Sequence, residues 1–133
     1  MMLNSNLDEP FRLLGIDPGT DKIGLAFCEL DLSTNQLSFT QTHLLSASKR
    51  AQFDPFYDQL EKTHGARQAR LILLSNLYRE HLEEFKPHDV VCESPFIGFS
   101  NKGATSAFEA LVQAVHSLRM CTYHYDRLLI FEL

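Results

Sequence analysis

The chain has 133 residues, a formal net charge of −5, and hydrophobic side chains at 44% of its positions. This length and composition favour one globular domain over residues 1–133, with a modest core. No run approaches the ~20 apolar residues needed to span a bilayer, and the start MMLNSNLDEP lacks the basic and apolar regions of a secretion signal. We therefore expect a soluble, cytoplasmic protein without a membrane partner. The acidic charge argues against a protein that coats nucleic acid by charge alone, but not against an enzyme whose metal ions meet phosphates.

The N-terminal part of the sequence predicts three antiparallel strands. Residues 12–17 and 22–30 are apolar and flank the turn DPGT. Pro18 suits the second position of a type II turn there, and Gly19 suits the third, which needs a positive φ. The alternating stretch 36–45 follows the polar turn DLSTNQ and predicts a third strand.

The C-terminal part predicts helices between further strands. Apolar residues recur at helical spacing over 65–85, and Pro87 ends that helix. The run 89–94 predicts a fourth strand, and 106–118 predicts a second helix with Ser106 as its N-cap. Residues 127–133 complete the pattern as a fifth strand. The order β-β-β-α-β-α-β indicates an α/β fold, a mixed five-stranded sheet with helices on its faces.

Two carboxylates stand inside apolar strands, Asp17 in the first and Glu93 in the fourth. If these strands are neighbours, their backbones lie ~4.8 Å apart and the two side chains share one face. Carboxylates so close repel each other unless a divalent cation lies between them. The pattern therefore predicts an Mg²⁺ or Mn²⁺ site. The alternative, that each acid lies in solvent at a strand end or pairs with an arginine, stays open.

The loop after the fourth strand and several cations are candidates for contact with nucleic acid. Phe96 and Phe99 could stack on an unpaired base, or they could fill the domain's own core. Four cations are candidate phosphate contacts, for which scattered surface charge is the alternative: Lys49, Arg50, Lys102 and Arg119.

The cysteines and histidines do not predict a zinc site. Cys28, Cys92 and Cys121 are far apart and show no CxxC spacing, which favours reduced, buried thiols. The six histidines show neither HxxxH nor HExxH spacing.

Two motifs resemble a known family. LLGIDPGTDKIGLAF, residues 13–27, looks like the first strand and turn of the RuvC group of Holliday-junction resolvases in the RNase H-like superfamily. DVVCESPF, residues 89–96, resembles that group's second acidic strand, and NKGATSAFEALVQAV, residues 101–115, is similar to its following helix. GIDPGT alone is moderately specific, because a related turn binds phosphate in actin-like ATPases and sugar kinases. The pair of GIDPGT with VCESPF, residues 91–96, is much more specific.

The resemblance implies an RNase H-like fold and a nuclease. It assigns Asp17 and Glu93 as catalytic metal ligands and Phe96 as the aromatic that acts at the junction centre. The implied activity is structure-selective cleavage of four-way or other branched DNA by hydrolysis that depends on Mg²⁺ or Mn²⁺. A two-fold symmetric junction calls for a homodimer. The divergence from the bacterial pattern suggests a phage member, which would act in the host cytoplasm.

The sequence departs from this family in two places. Segment 46–64 makes the connection before the long helix longer than usual. Family members continue after the fifth strand into a helix with further ligands, a position that neither Asp126 nor Glu132 matches. We therefore expect one weak metal site at most and poor cleavage. The alternatives are a non-catalytic junction-binding protein on the same fold and, with less support, an actin-like ATPase fragment.

Overall fold

The computed structural model describes residues 9–94, 104–125, 127 and 129–132. The strands are β1 (Phe11–Asp17), β2 (Lys22–Asp31), β3 (Gln36–Ser46), β4 (Asp89–Glu93) and β5 (Leu129–Glu132). The helices are α1 (Ala47–Ala51), α2 (Tyr57–His64), α3 (Ala66–Phe85) and α4 (Ala104–His124). Within these residues, no helix is both long and apolar enough to cross a membrane.

The strands form one mixed sheet in the order β3-β2-β1-β4-β5. Strand β2 pairs antiparallel with both β1 and β3, because short turns join these three strands. Strand β4 is parallel to β1, and β5 joins the far side of β4, also in parallel, over four residues. Helix α3 makes the crossover from the hairpin strands to β4, and α4 makes the crossover from β4 to β5. The predicted mixed sheet with helices is confirmed.

Helix α3 covers one face of the sheet and encloses the core. On β1, Leu14 and Ile16 point into this core, and on β4 so do Val90 and Cys92, because every second strand residue faces the same side. Tyr78 of α3 is fully buried, and its hydroxyl lies 2.7 Å from Thr122 Oγ1 of α4, which itself donates to the Leu118 carbonyl. This buried polar contact is satisfied and joins the two long helices.

The turn between β1 and β2 differs from the prediction. Gly19 does not have the positive φ that a type II turn requires; in the described residues, Gly65 is the glycine that has one. A Cβ at Gly19 would instead collide with the backbone carbonyl oxygen of Lys22. The glycine is needed for this close approach of the backbone rather than for a left-handed conformation.

Segment 46–64 forms two short helices that the sequence did not predict. Ser46 caps α1, since its hydroxyl accepts from the Lys49 backbone N–H. The Ala47 N–H donates to the Asp21 carbonyl at 2.9 Å, which fixes α1 beside the β1–β2 turn.

Helix α4 is longer at both ends than predicted. It begins at Ala104, so Ser106 lies inside its first turn and the N-cap prediction is wrong. The Ser106 hydroxyl instead accepts a hydrogen bond from Arg67 Nη2 at 3.4 Å. At the other end the helix continues to His124, because Thr122 remains buried against Tyr78 beyond the predicted end at Leu118.

Candidate metal and nucleic-acid site

Asp17 and Glu93 are the last residues of two neighbouring parallel strands. The paired register of β1 and β4 runs up to Ile16 opposite Cys92, so Asp17 and Glu93 follow at the same level. Ile16 and Cys92 point into the core, and the next residue on each strand therefore lies on the opposite face. Both carboxylates are exposed there. The adjacency and common face that the sequence predicted are present; their role as metal ligands stays a prediction.

The negative charges of both carboxylates act on the buried thiol of Cys92. Burial, followed by the negative charges of Glu93 and Asp17, raises the pKa of the Cys92 thiol to about 11, while Arg119 of α4 acts in the opposite direction. Negative charge is therefore concentrated at this end of the sheet. Such a field attracts a divalent cation.

Small residues leave space beside Asp17. A depression of about 450 Å³ on the open face of the sheet is lined in part by Asp17, Gly15, Gly24 and Ala26. Gly24 is paired with Asp17 across the β1–β2 ladder, and a Cβ there would lie 3.4 Å from the Asp17 Cβ. The missing side chain keeps the Asp17 carboxylate accessible from the direction of β2.

The donor set suits one hard divalent cation. Carboxylate oxygens are the ligands that Mg²⁺ prefers, and it commonly uses one or two carboxylates with water and substrate phosphates completing the shell. In the described parts of the chain, no group of three or more His, Cys, Asp or Glu is placed to hold a metal. Asp17 and Glu93 therefore fit a partly hydrated ion shared with a phosphate.

Glu132 of β5 is an acid whose position the sequence did not reveal. Its Cα is the register partner of the Glu93 Cα across the β4–β5 ladder. The backbone thus aligns three acidic positions, Asp17, Glu93 and Glu132, across neighbouring strands. Only the pairing register shows this, because the sequence does not specify how β5 aligns with β4.

The predicted cations of α1 lie at the same end of the sheet. Strand β3 also ends there: its last residue, Ser46, pairs with Lys22, which lies next to the β1–β2 turn. Lys49 is exposed, and Arg50 Nη2 lies 3.9 Å from the Glu80 carboxylate of α3. An exposed ion pair of this length is weak, so it leaves Arg50 able to exchange partners. Phe96, Phe99 and Lys102 lie outside the described residues, and their contact with DNA stays a prediction.

Two arginines that sequence reasoning treated only as the polar side of a helix also lie at this end. Helix α3 runs antiparallel to β4, since its last residues lead into the start of that strand, and so its first turn points towards the end of the sheet where β1 and β4 finish. Arg67 is exposed in this turn, and Arg70 lies close enough to Tyr57 of α2 to act on its pKa. The sequence signal that could have identified these two arginines is their position at the start of the predicted helix that precedes β4.

No protein-family model matches the chain, and no curated protein matches it. Among solved structures, Thermus thermophilus RuvC in complex with a Holliday junction substrate matches with a TM-score of 0.63 and 15% identity, over 92% of this chain and 64% of that chain. The yeast mitochondrial Holliday junction resolvase Ydc2 matches with a TM-score of 0.58 and 14% identity, over 98% of this chain and 57% of that chain. The chain has the fold of these resolvases.

The same fold occurs in a second group. An Aquifex aeolicus member of the Ppx/GppA protein family matches with a TM-score of 0.50 and 14% identity, over 92% of this chain and 35% of that chain. The present chain spans about three fifths of the length of the two resolvases. Because one fold hosts several activities, the activity has to be argued from the site.

Proposed function

We propose that this protein is a structure-selective endonuclease that cuts four-way or other branched DNA by hydrolysing phosphodiesters with a divalent metal ion. The observation that carries the proposal is the placement of Asp17 and Glu93 at adjacent strand ends, on one exposed face. The fold shared with two Holliday junction resolvases supports branched DNA as the substrate class.

In this proposal, Asp17 and Glu93 hold one Mg²⁺ or Mn²⁺. The bound ion supplies Lewis-acid stabilisation of the charge that develops on the phosphate oxygens. The two carboxylates would hold the ion at the open face of the sheet, where the absence of a side chain at Gly24 keeps the Asp17 carboxylate accessible. Their negative charges repel a DNA backbone locally, and a bound cation offsets that repulsion at the point of cleavage.

Cations around the site position the DNA. Lys49, Arg67 and Arg70 stand on helices that begin or end at the same end of the sheet as Asp17. Contacts between such side chains and phosphates fix orientation without reading sequence, as structure-selective binding requires. A junction with two-fold symmetry is cut symmetrically by a homodimer that presents two such sites, and we include this dimer in the proposal.

Cleavage of labelled four-way junctions with Mg²⁺ or Mn²⁺ tests the proposal. Asp17→Asn is expected to abolish nicking and to leave junction binding largely intact, because it removes a metal ligand and few positioning contacts. Asp31→Asn is the matched control. Asp31 lies at the far end of β2, and an asparagine oxygen still accepts the Ser33 N–H. Equal loss in both variants, or undiminished nicking by Asp17→Asn, contradicts the assignment.

One observation favours a second candidate function, a non-catalytic junction-binding protein. In the described parts of the chain, no third protein ligand completes a metal group with Asp17 and Glu93. A protein of this kind would bind junctions with the same preference over duplex DNA but would not nick them with either metal. The same assay therefore separates the two functions.

A further inference from the structure

His43 and His81 meet at the β3 edge of the sheet, on the face that α3 covers and not on the face that carries Asp17 and Glu93. His43 lies on β3, the outermost strand, and His81 lies on α3. Their ring centroids are 4.9 Å apart, with the ring planes inclined at 52°. The His81 ring also contacts Phe27, which in turn packs edge-on against Phe85. The two imidazoles are thus held beside each other by a packed helix and a paired strand.

The nitrogen atoms of both rings are available. In the parts of the chain that the structure describes, neither His43 nor His81 makes a hydrogen bond; their contacts are ring contacts and charge interactions. His43 is exposed, so a solvated ion reaches the pair from solvent.

Charged groups surround His81. Burial lowers the pKa of His81, and the neighbouring His43 lowers it further. Glu84 and Glu80, on the same helix, act in the opposite direction. These two carboxylates favour the approach of a cation to the histidine pair.

The ring separation matches that of two imidazoles bound to one ion. With metal–nitrogen bonds of about 2.0 Å and a tetrahedral angle at the metal, the two ring centroids lie about 5 Å apart. The observed centroid separation of 4.9 Å is compatible with a shared ion. The two ligands lie on separate elements, which explains why no HxxxH or HExxH spacing marks them in the sequence.

We propose that His43 and His81 together bind one borderline transition-metal ion, with Zn²⁺ or Ni²⁺ as the representative class, and that water completes its coordination. Imidazole suits these ions, whereas Mg²⁺ prefers oxygen ligands. The site is distinct from the Asp17–Glu93 pair and does not depend on the proposed nuclease function. Because no third His, Cys, Asp or Glu in the described residues joins a metal group, the affinity is set by two ligands and is modest.

A bound ion would link the outer strand β3 to helix α3. Within the described part of the chain, strand β3 pairs on one side only, with β2, and its residues 36–44 are all exposed. Outer strands of this kind are prone to pair with other chains. An ion held by His43 and His81 stabilises the folded state by binding it in preference to the unfolded chain.

Thermal unfolding with added metal tests the site. The melting temperature of the wild type is expected to rise progressively with Zn²⁺ or Ni²⁺ concentration and not with equal concentrations of Mg²⁺. His43→Gln is expected to weaken the metal response more than about tenfold in concentration, since it removes one of two ligands. His43 is exposed, so this variant should fold. His64→Gln, at an exposed histidine of α2, is the matched control and should respond as the wild type does.

The imidazole proton signals of the wild type give a second readout. Paramagnetic Ni²⁺ should broaden the His43 and His81 signals first. All measurements are repeated in Asp17→Asn, which keeps the histidine pair and removes the carboxylate site. An unchanged Zn²⁺ response in His43→Gln, preferential broadening of other histidines, or a response that vanishes in Asp17→Asn overturns the proposal.

Discussion

The two faces of the central sheet differ in what covers them. On the helix-covered face, Leu14, Ile16 and Val90 are at most 5% exposed and pack beneath α3. On the opposite face, Gly15, Gly24 and Ala26 leave a depression, and Asp17 and Glu93 stand exposed beside it. Among the described residues, the first face holds the fold together, whereas the second carries little packing and the two carboxylates of the proposed nuclease site.

This division has a physical cause. A carboxylate on the covered face would be buried without a partner. Burying an unpaired charge destabilises the folded state by roughly several kcal/mol. At the exposed strand ends the same group keeps its water until a cation replaces it. The fold and the site can therefore be altered separately, and the predictions below use that separation.

The largest expected effect is on stability, from a matched pair of leucine truncations. Leu82→Ala on α3 should lower the free energy of unfolding by about 2–5 kcal/mol, since Leu82 is 1% exposed in the core. Leu44→Ala, on β3 opposite Gly24 and 59% exposed, should change it by about 0.5 kcal/mol or less. Urea unfolding of both variants checks this. Similar losses in the two would mean that the second face is covered in solution.

A smaller effect is expected from pH at the opposite end of the sheet. The Arg12 backbone N–H donates to His88 Nδ1 at 2.8 Å, a bond that requires an unprotonated Nδ1. Burial, and then the charges of Arg12 and Arg127, lower the pKa of His88 from its ordinary value of 6.5. The neutral form is therefore favoured by folding. Its contribution is fully present above about pH 6.5 and decreases as the pH falls from there towards the folded-state pKa.

His88→Asn tests that linkage, because the asparagine oxygen accepts the same bond and does not titrate. Between pH 7 and pH 5, the free energy of unfolding of His88→Asn should fall less than that of the wild type. His81, whose pKa is also lowered, is present in both proteins and contributes equally to the pH dependence of their free energies of unfolding. A steeper fall in the variant would contradict the role given to the His88 acceptor.

The smallest effect is expected from glycines on the second face. Gly24→Ala brings a methyl group to 3.4 Å from the Asp17 Cβ, whereas at Gly15 the nearest contact of an added Cβ is 3.8 Å, to Ala26. Both variants should fold with little change in stability, since a strand alanine costs less conformational entropy than glycine. Only Gly24→Ala should weaken Mn²⁺ binding, by a few-fold. Calorimetric titration of Mn²⁺ into both variants checks this. Equal losses of Mn²⁺ affinity in the two variants would contradict it.

Much of the fold could be predicted because its signals are local. Apolar runs over 12–17 and 22–30, and helical spacing over 65–85, predicted elements within one residue of those observed. Helices α1 and α2 were missed because they are short, at five and eight residues, and too brief for a helical spacing to stand out. The end of α4 was set too early because its last turns are held by Thr122 against Tyr78, a contact between distant residues.

The candidate site was only partly predictable for the same reason. Asp17 and Glu93 stand out because each interrupts an apolar strand, and only the pairing of β1 with β4 was needed to bring them together. Arg67, Glu132 and the His43–His81 pair depend on helix direction, strand register and packing across elements. None of these is fixed by spacing along the chain.

The central claim is that Asp17 and Glu93 share one divalent ion on the second face of the sheet. Calorimetric titration of Mn²⁺ into the wild type, Asp17→Asn and Glu93→Gln, with Asp31→Asn as control, tests it most directly. We expect one weakly bound ion per chain in the wild type and in the control, and loss of that binding in each of the two site variants without a change in melting temperature before metal is added. Retention of wild-type Mn²⁺ affinity by either Asp17→Asn or Glu93→Gln would contradict the shared site.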